Sequence, residues 1–123
     1  MKLGVTNGQL QPVEDKPNSV SSQTDIQRNY LAPIPYSDDR LQSRSKITAI
    51  LTNMKRIELV EEQDDYLHYV ETSKVFKFKD DVEFYFDDFN QVIQFRSKSR
   101  VGHTDLGVNR KRMKKITDAY TRP

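Results

Sequence analysis

Asp81-Val82-Glu83-Phe84-Tyr85-Phe86-Asp87 and the nearby Gln91-Val92-Ile93-Gln94-Phe95-Arg96-Ser97-Lys98-Ser99 decide the fold of this chain. In the first stretch Val82, Phe84 and Phe86 alternate with Asp81, Glu83, Tyr85 and Asp87, the pattern of a half-buried strand, because successive side chains leave a strand on opposite faces. In the second, Ile93 and Phe95 take the apolar side. A two-residue loop at Phe89-Asn90 sets Phe84 opposite Phe95 and Phe86 opposite Ile93. On the other face it sets Glu83 opposite Arg96 and Asp81 opposite Lys98. Both faces require this register, since a slip of one residue would turn every core side chain outward. Phe89 suits the positive φ of a tight turn poorly, so a longer loop with the same register is the alternative. Asp81, Glu83, Arg96 and Lys98 therefore read as structural ion pairs.

Upstream, Ile57-Glu58-Leu59-Val60-Glu61 and Tyr66-Leu67-His68-Tyr69-Val70-Glu71 read as two strands joined by a polar turn. Val75-Phe76-Lys77-Phe78 is either a separate short piece or the start of the next strand. Before them, Leu41, Ile47, Ile50, Leu51 and Met54 recur at mostly three- and four-residue spacing. This predicts a helix over 38–55, with Ser37 as N-cap and Asp38 and Asp39 in the first turn, where the helix dipole favours acids. The first 36 residues keep neither period. Downstream the chain turns at Gly102, and Met113, Ile116 and Tyr120 mark a helix over 106–120 that Thr104 or Asp105 can cap. The expected fold is α+β: a four- or five-stranded antiparallel sheet with two helices on one face and the other face partly open. Residues 1–25 are expected to form an irregular, partly mobile segment, and 26–123 a single α+β domain.

With 123 residues the chain has room for one core. Nine of its twelve aromatic residues follow Tyr66, which places most of that core in the second half. The absence of cysteine excludes disulfides, thiolate metal sites and a cysteine nucleophile. No apolar run approaches the ~20 residues that cross a bilayer, and no secretory signal opens the chain. A cytoplasmic location with no membrane partner and no cofactor is the expectation. Net charge is only +2, but it is unevenly spread. Residues 58–88 hold eleven acids against three lysines, and residues 96–122 hold nine bases against two acids. Such asymmetry marks either a polyanion-binding face or two strands that neutralise each other. The register above assigns part of it to the second cause.

Three blocks carry a family resemblance: Lys16-Pro17-Asn18-Ser19-Val20-Ser21-Ser22-Gln23, Phe78-Lys79-Asp80-Asp81-Val82-Glu83-Phe84, and Arg96-Ser97-Lys98-Ser99-Arg100-Val101-Gly102-His103-Thr104-Asp105-Leu106-Gly107-Val108-Asn109-Arg110-Lys111-Arg112. In order and spacing they resemble the bacterial and plastid proteins grouped as domain of unknown function 1499, over residues 12–120. The resemblance implies a shared fold and no known reaction or ligand. It also implies cysteines near Val13 and at Ser19, and neither is present, which argues against a redox or metal role for that pair. Lys79, Lys98 and His103 stand where the family has an apolar, a small and an aromatic residue.

Residues 96–112 hold the leading candidate site, an anion site. Gly102 and Gly107 allow a close backbone approach, amides at a helix start face an anion, and Arg100 and Arg110 can clamp a carboxylate or phosphate in bidentate fashion. Arg96, His103 and Asn109 complete the candidate set. The structural alternative is that these arginines answer Glu83, Asp80 and Asp105. A metal site at Asp80, Asp81 and Glu83 is disfavoured because Asp80 points to the opposite face of the strand. Ser97 or Ser99 with His103 and Asp105 lacks any motif that places a nucleophile. Nucleic acid, read from Arg110-Lys111-Arg112 and Lys114-Lys115 with Tyr66, Tyr69 and Tyr85, is disfavoured by the acids on the same sheet. The expectation is therefore a non-catalytic binding or assembly module for a small anion or an acidic partner surface. The competing reading is an enzyme using Asp81, Glu83, Arg96 and His103 on the open sheet face.

Overall fold

The computed structural model describes residues 3–122, so Met1, Lys2 and Pro123, at the ends of the two expected segments, lie outside it. In chain order the elements are β1 (Val5–Thr6), β2 (Gln9–Leu10), β3 (Ser19–Ser21), a 3-10 turn (Gln27–Asn29), β4 (Ile34–Pro35), α1 (Arg40–Thr52), β5 (Ile57–Gln63), β6 (Tyr66–Thr72), β7 (Lys79–Asp87), β8 (Val92–Ser99) and α2 (Val108–Thr121). The architecture is α+β. Its antiparallel sheet runs β3-β8-β7-β6-β5, and β4 also pairs with β8.

The β7–β8 register is the one that the alternation requires: Phe84 faces Phe95, Phe86 faces Ile93, Glu83 faces Arg96 and Asp81 faces Lys98. Pairing stops at Asp87 and Val92, so the loop spans 88–91 and is the longer alternative; Gln91, not Phe89, takes the positive φ of 57°. The sheet has six strands where four or five were expected, and the difference comes from the N-terminal segment. Ser19, Val20 and Ser21 pair with Lys98, Ser97 and Arg96, and further along the same edge Ile34 and Pro35 pair with Ile93 and Val92. These strands are only two or three residues long, too short for any alternation to show in the sequence.

The other face of the sheet is not open. The amide of Gly4, at the start of the β1–β2 hairpin, donates to Glu83 Oε2 at 2.8 Å, and Tyr66, His68 and Val70 on that face are buried along with Leu10 and Val13. On the opposite side α1 and α2 cover Leu67, Val82, Phe84, Phe86, Ile93 and Phe95 with Ile47, Leu51, Met113, Ile116 and Tyr120. Val20 and Ile34 join this core from the N-terminal segment, whereas Phe76, Phe78 and Phe89 are exposed. Leu41, expected on the inner stripe of α1, is exposed as well.

Both helices begin later than the apolar spacing predicts. Asp38 has φ 66° and cannot enter a helix, so α1 starts at Arg40 with Asp39, not Ser37, as its cap: Asp39 Oδ1 accepts from the Gln42 amide at 2.8 Å. Leu106 and Gly107 are also left-handed, at φ 55° and 82°, which delays α2 to Val108. Asp105 caps the turn through bonds from the amides of Gly107 and Asn109. Among the described residues no helix is long and apolar enough to cross a membrane.

Candidate functional site

The charges expected on an open face are sealed inside instead. Glu83 is 0% exposed and Arg96 4%. Arg96 donates to Glu83 Oε1 at 3.0 Å, and the Tyr66 hydroxyl donates to Oε2 at 2.6 Å. Burial, and then the hydrogen bond to Glu83, push the Tyr66 phenol well above its usual range. One strand pair along, Asp81 does not answer Lys98. Its Oδ2 accepts from Arg100 Nε and its Oδ1 from Arg100 Nη2, both at 2.9 Å, and Oδ1 lies 2.7 Å from His68 Nε2. Arg100 is the better partner because its planar fork meets both carboxylate oxygens at once.

Burial works against ionising Asp81, but the bonds and charges of His68 and Arg100 outweigh it and hold the carboxyl well below the usual carboxylate range. A group whose pKa is depressed on folding stabilises the fold above its unfolded value of about 4 and loses that contribution as pH falls. Asp81→Asn is therefore expected to give a shallower fall in melting temperature between about pH 5 and pH 3 than the parent protein. Melting curves across that window check it, and parallel curves would contradict the assignment.

The segment 96–112 is a structural junction. Asn109, at the start of α2, is fully buried. Its Oδ1 accepts from Ser97 Oγ at 2.7 Å and from Arg112 Nη1 at 2.7 Å. Its Nδ2 reaches the Asn18 carbonyl at 3.1 Å, Ser99 Oγ at 3.0 Å and Asp105 Oδ2 at 2.6 Å. Asn18 in turn donates from Nδ2 to the carbonyl of Gly102, and the Asp105 amide donates to the Pro17 carbonyl. Gly102 has φ 92° and Gly107 φ 82°, so the turn that presents these groups requires glycine at both points. Arg112 completes the junction by forking onto Glu71 at 3.1 and 3.0 Å and bonding Asp80 at 2.6 Å. The three sequence blocks quoted above thus meet here.

The arginines expected to clamp an anion do not converge. Arg100 lies on the sheet face away from the helices, fixed by Asp81, while Arg110 reaches the other way to the Arg28 carbonyl at 2.7 Å. His103 is exposed in the turn, apart from the buried Asp81, Glu83 and Arg96 with which an enzymatic reading would group it. Asp80 faces the helices and Asp81 and Glu83 the other side, each already bonded to an arginine.

A site of a different kind lies between the helices. A groove of about 710 Å³ runs along α2 and the C-terminal end of α1. Ile50, Met54, Val108, Ile116 and Ala119 line it with apolar surface, and Lys55, Arg56, Lys111 and Lys115 are exposed around it. Lys111 and Lys115 are four residues apart on one helix face, a like-charge pair that mildly weakens a helix. None of these four bases has an ion-pair partner among the described residues. Glu71 reaches the groove but is held by Arg112. The sequence contained a signal for this in the basic run 110–115. What it concealed was that Arg110 and Arg112 leave that run for structural bonds, while Lys55 and Arg56 join it from a distant turn.

A family model described as "Protein of unknown function (DUF1499)" matches residues 9–120. No curated protein and no solved structure matches the chain.

Proposed function

The chain belongs to the DUF1499 family of proteins of unknown function, and from that premise we propose that it is a non-catalytic binding module for a small anionic amphiphile held between α1 and α2. The observation that carries this reading is the apolar groove bordered by four bases that have no ion-pair partner among the described residues. Its size lies within the roughly 300–1,000 Å³ of ordinary ligand sites, which pair apolar walls with a few placed polar groups. A carboxylate or phosphate head would sit against Lys111 and Lys115, with Lys55 and Arg56 on the far side, and an apolar chain would lie over Ile50, Met54 and Val108. Anion recognition thereby moves from Arg100 and Arg110, which are already engaged, to Lys111 and Lys115 on the exposed side of α2. The enzymatic alternative has less support, because Asp81, Glu83 and Arg96 are buried in ion pairs and His103 lies exposed and apart from them.

Titration calorimetry with decanoate, decanol and inorganic phosphate tests the reading. Decanoate is expected to bind, and decanol and phosphate far more weakly, since each offers only half of the required chemistry. Lys111→Glu combined with Lys115→Glu is expected to weaken decanoate binding at least about tenfold, or about 1.4 kcal/mol. Equal binding of decanol and decanoate, or no response to the charge reversal, would sink the proposal.

A further inference from the structure

The end of the sheet where β6 passes to β7 carries a second surface, which borders the groove and shares Arg56 with it. Thr72 and Lys79 are the last paired residues, and the Ser73 and Phe78 amides close the loop neck by donating to the Phe78 carbonyl at 2.8 Å and to Ser73 Oγ at 2.9 Å. Every residue from 74 to 79, at the neck and beyond it, is exposed. The order is Lys74-Val75-Phe76-Lys77-Phe78-Lys79, three bases interleaved with three apolar residues and no acid. Val75 and Phe76 are each 75% exposed and Phe78 53%, with the two phenyl rings stacked at 5.5 Å. Such a cluster at a loop tip contributes little to the core and marks a contact surface.

Neighbouring segments extend the same chemistry. The Arg100 amide donates to the Lys79 carbonyl, so the turn that follows β8 lies at this end, and it exposes Val101, Leu106 and Val108. Ile57 pairs with Glu71, which brings Lys55 and Arg56 to the same end. The carboxylates nearby are mostly committed: Glu71 and Asp80 to Arg112, Asp81 to Arg100 and Asp105 to helix amides. Glu58 shares a shallow hollow with Arg56 and Lys77.

We propose that this end of the molecule docks on an anionic lipid bilayer, with Phe76 and Phe78 entering the interfacial layer while Lys74, Lys77, Lys79 and Arg56 lie against the headgroups. Lysine suits that role. It is a hydrated point charge on a flexible apolar stem, matched to diffuse negative charge and not to the bidentate contacts of a specific acidic partner. Aromatic rings settle at the headgroup level, and juxtaposed bases add electrostatic attraction to the anionic surface.

Vesicle co-sedimentation of the full chain is the test, using vesicles of roughly one part phosphatidylglycerol to two parts phosphatidylcholine. The protein is expected to sediment with these, to be released by high salt, and to stay in solution with phosphatidylcholine alone. Phe76→Ser with Phe78→Ser, and separately Lys74→Glu with Lys77→Glu, should each lower partitioning at least about tenfold. Both changes lie on the exposed loop, so unchanged melting temperatures confirm that the fold is intact. The chain has no tryptophan, so Phe76→Trp supplies a single reporter whose emission should shift to the blue on anionic vesicles. No sedimentation with anionic vesicles, or sedimentation indifferent to both loop variants, overturns the proposal. So does loop-dependent retention on duplex DNA without any on vesicles, which would reassign the surface to a polyanion. Decanoate binding by the loop variants should be unchanged, which separates this surface from the groove.

Discussion

Glu83→Ala is expected to lower the melting temperature by roughly 10–20 °C, the largest effect of any single substitution in the sheet. Glu83 is wholly buried, and its two oxygens serve Arg96, the Tyr66 hydroxyl and the Gly4 amide. Removing it leaves a guanidinium inside the protein with no counter-charge, which costs about 3–5 kcal/mol. That is a large share of the ~5–15 kcal/mol that holds a domain of this size together. Thermal denaturation measures the loss, and the double variant Glu83→Leu with Arg96→Met identifies its cause. If the penalty comes from an orphaned charge, the double variant should recover most of the stability, because a buried ion pair replaced by apolar residues of similar volume is often neutral. A double variant as unstable as the single one would mean that Glu83 matters mainly for anchoring Tyr66 and the N-terminal hairpin.

Asn109→Ala is expected to cost about 3 kcal/mol or more, a fall of roughly 10–15 °C. The side chain joins β8, the cap of α2, Arg112 and the N-terminal segment, so its loss leaves several buried donors and acceptors unmatched. Asn109→Asp should not rescue it. A carboxylate there would keep the bonds from Ser97 and Arg112 but lose the donor that Asp105, Ser99 and the Asn18 carbonyl need, and would face Asp105 with like charge. Increased amide exchange at 18–22 and 105–109 in both variants would locate the damage at the junction. A stability within about 0.5 kcal/mol of the parent would contradict the role assigned to it.

The central hairpin was legible in the sequence because two independent constraints, apolar matching on one face and charge matching on the other, select one register. Glu83–Arg96 followed directly. Asp81–Lys98 did not, because register fixes which residues are opposite and not which side chains meet; Arg100, beyond the last paired residue, offers two donors in one rigid plane where Lys98 offers a point charge on a flexible stem. Both helices were legible as stripes, but their starts were not, since Asp38 and Leu106 adopt left-handed backbone that no local preference announces. The N-terminal strands were invisible for a related reason. Ser19–Ser21 is polar and short, and it pairs because β8 presents an unfilled edge, a fact about the sheet that no window of the sequence contains. The groove escaped notice because its bases come from positions 55, 56, 111 and 115, which only helix packing brings together.

The placement of β8 also bears on the order in which the chain acquires its structure. It is the last strand of the sheet in chain order, yet β3 and β4, among the first, pair with no other strand among the described residues. As the polypeptide leaves the ribosome, β3 and β4 must wait for their strand partner until residues 92–99 have emerged, and closing that long loop is an entropic cost met late. The hairpins formed by β5, β6 and β7 can assemble earlier from local contacts. The N-terminal hairpin, whose Gly4 amide meets Glu83, packs beside β8, so Glu83 remains hydrated until β8 has returned. The first residues of this domain are in that sense the last to find their place.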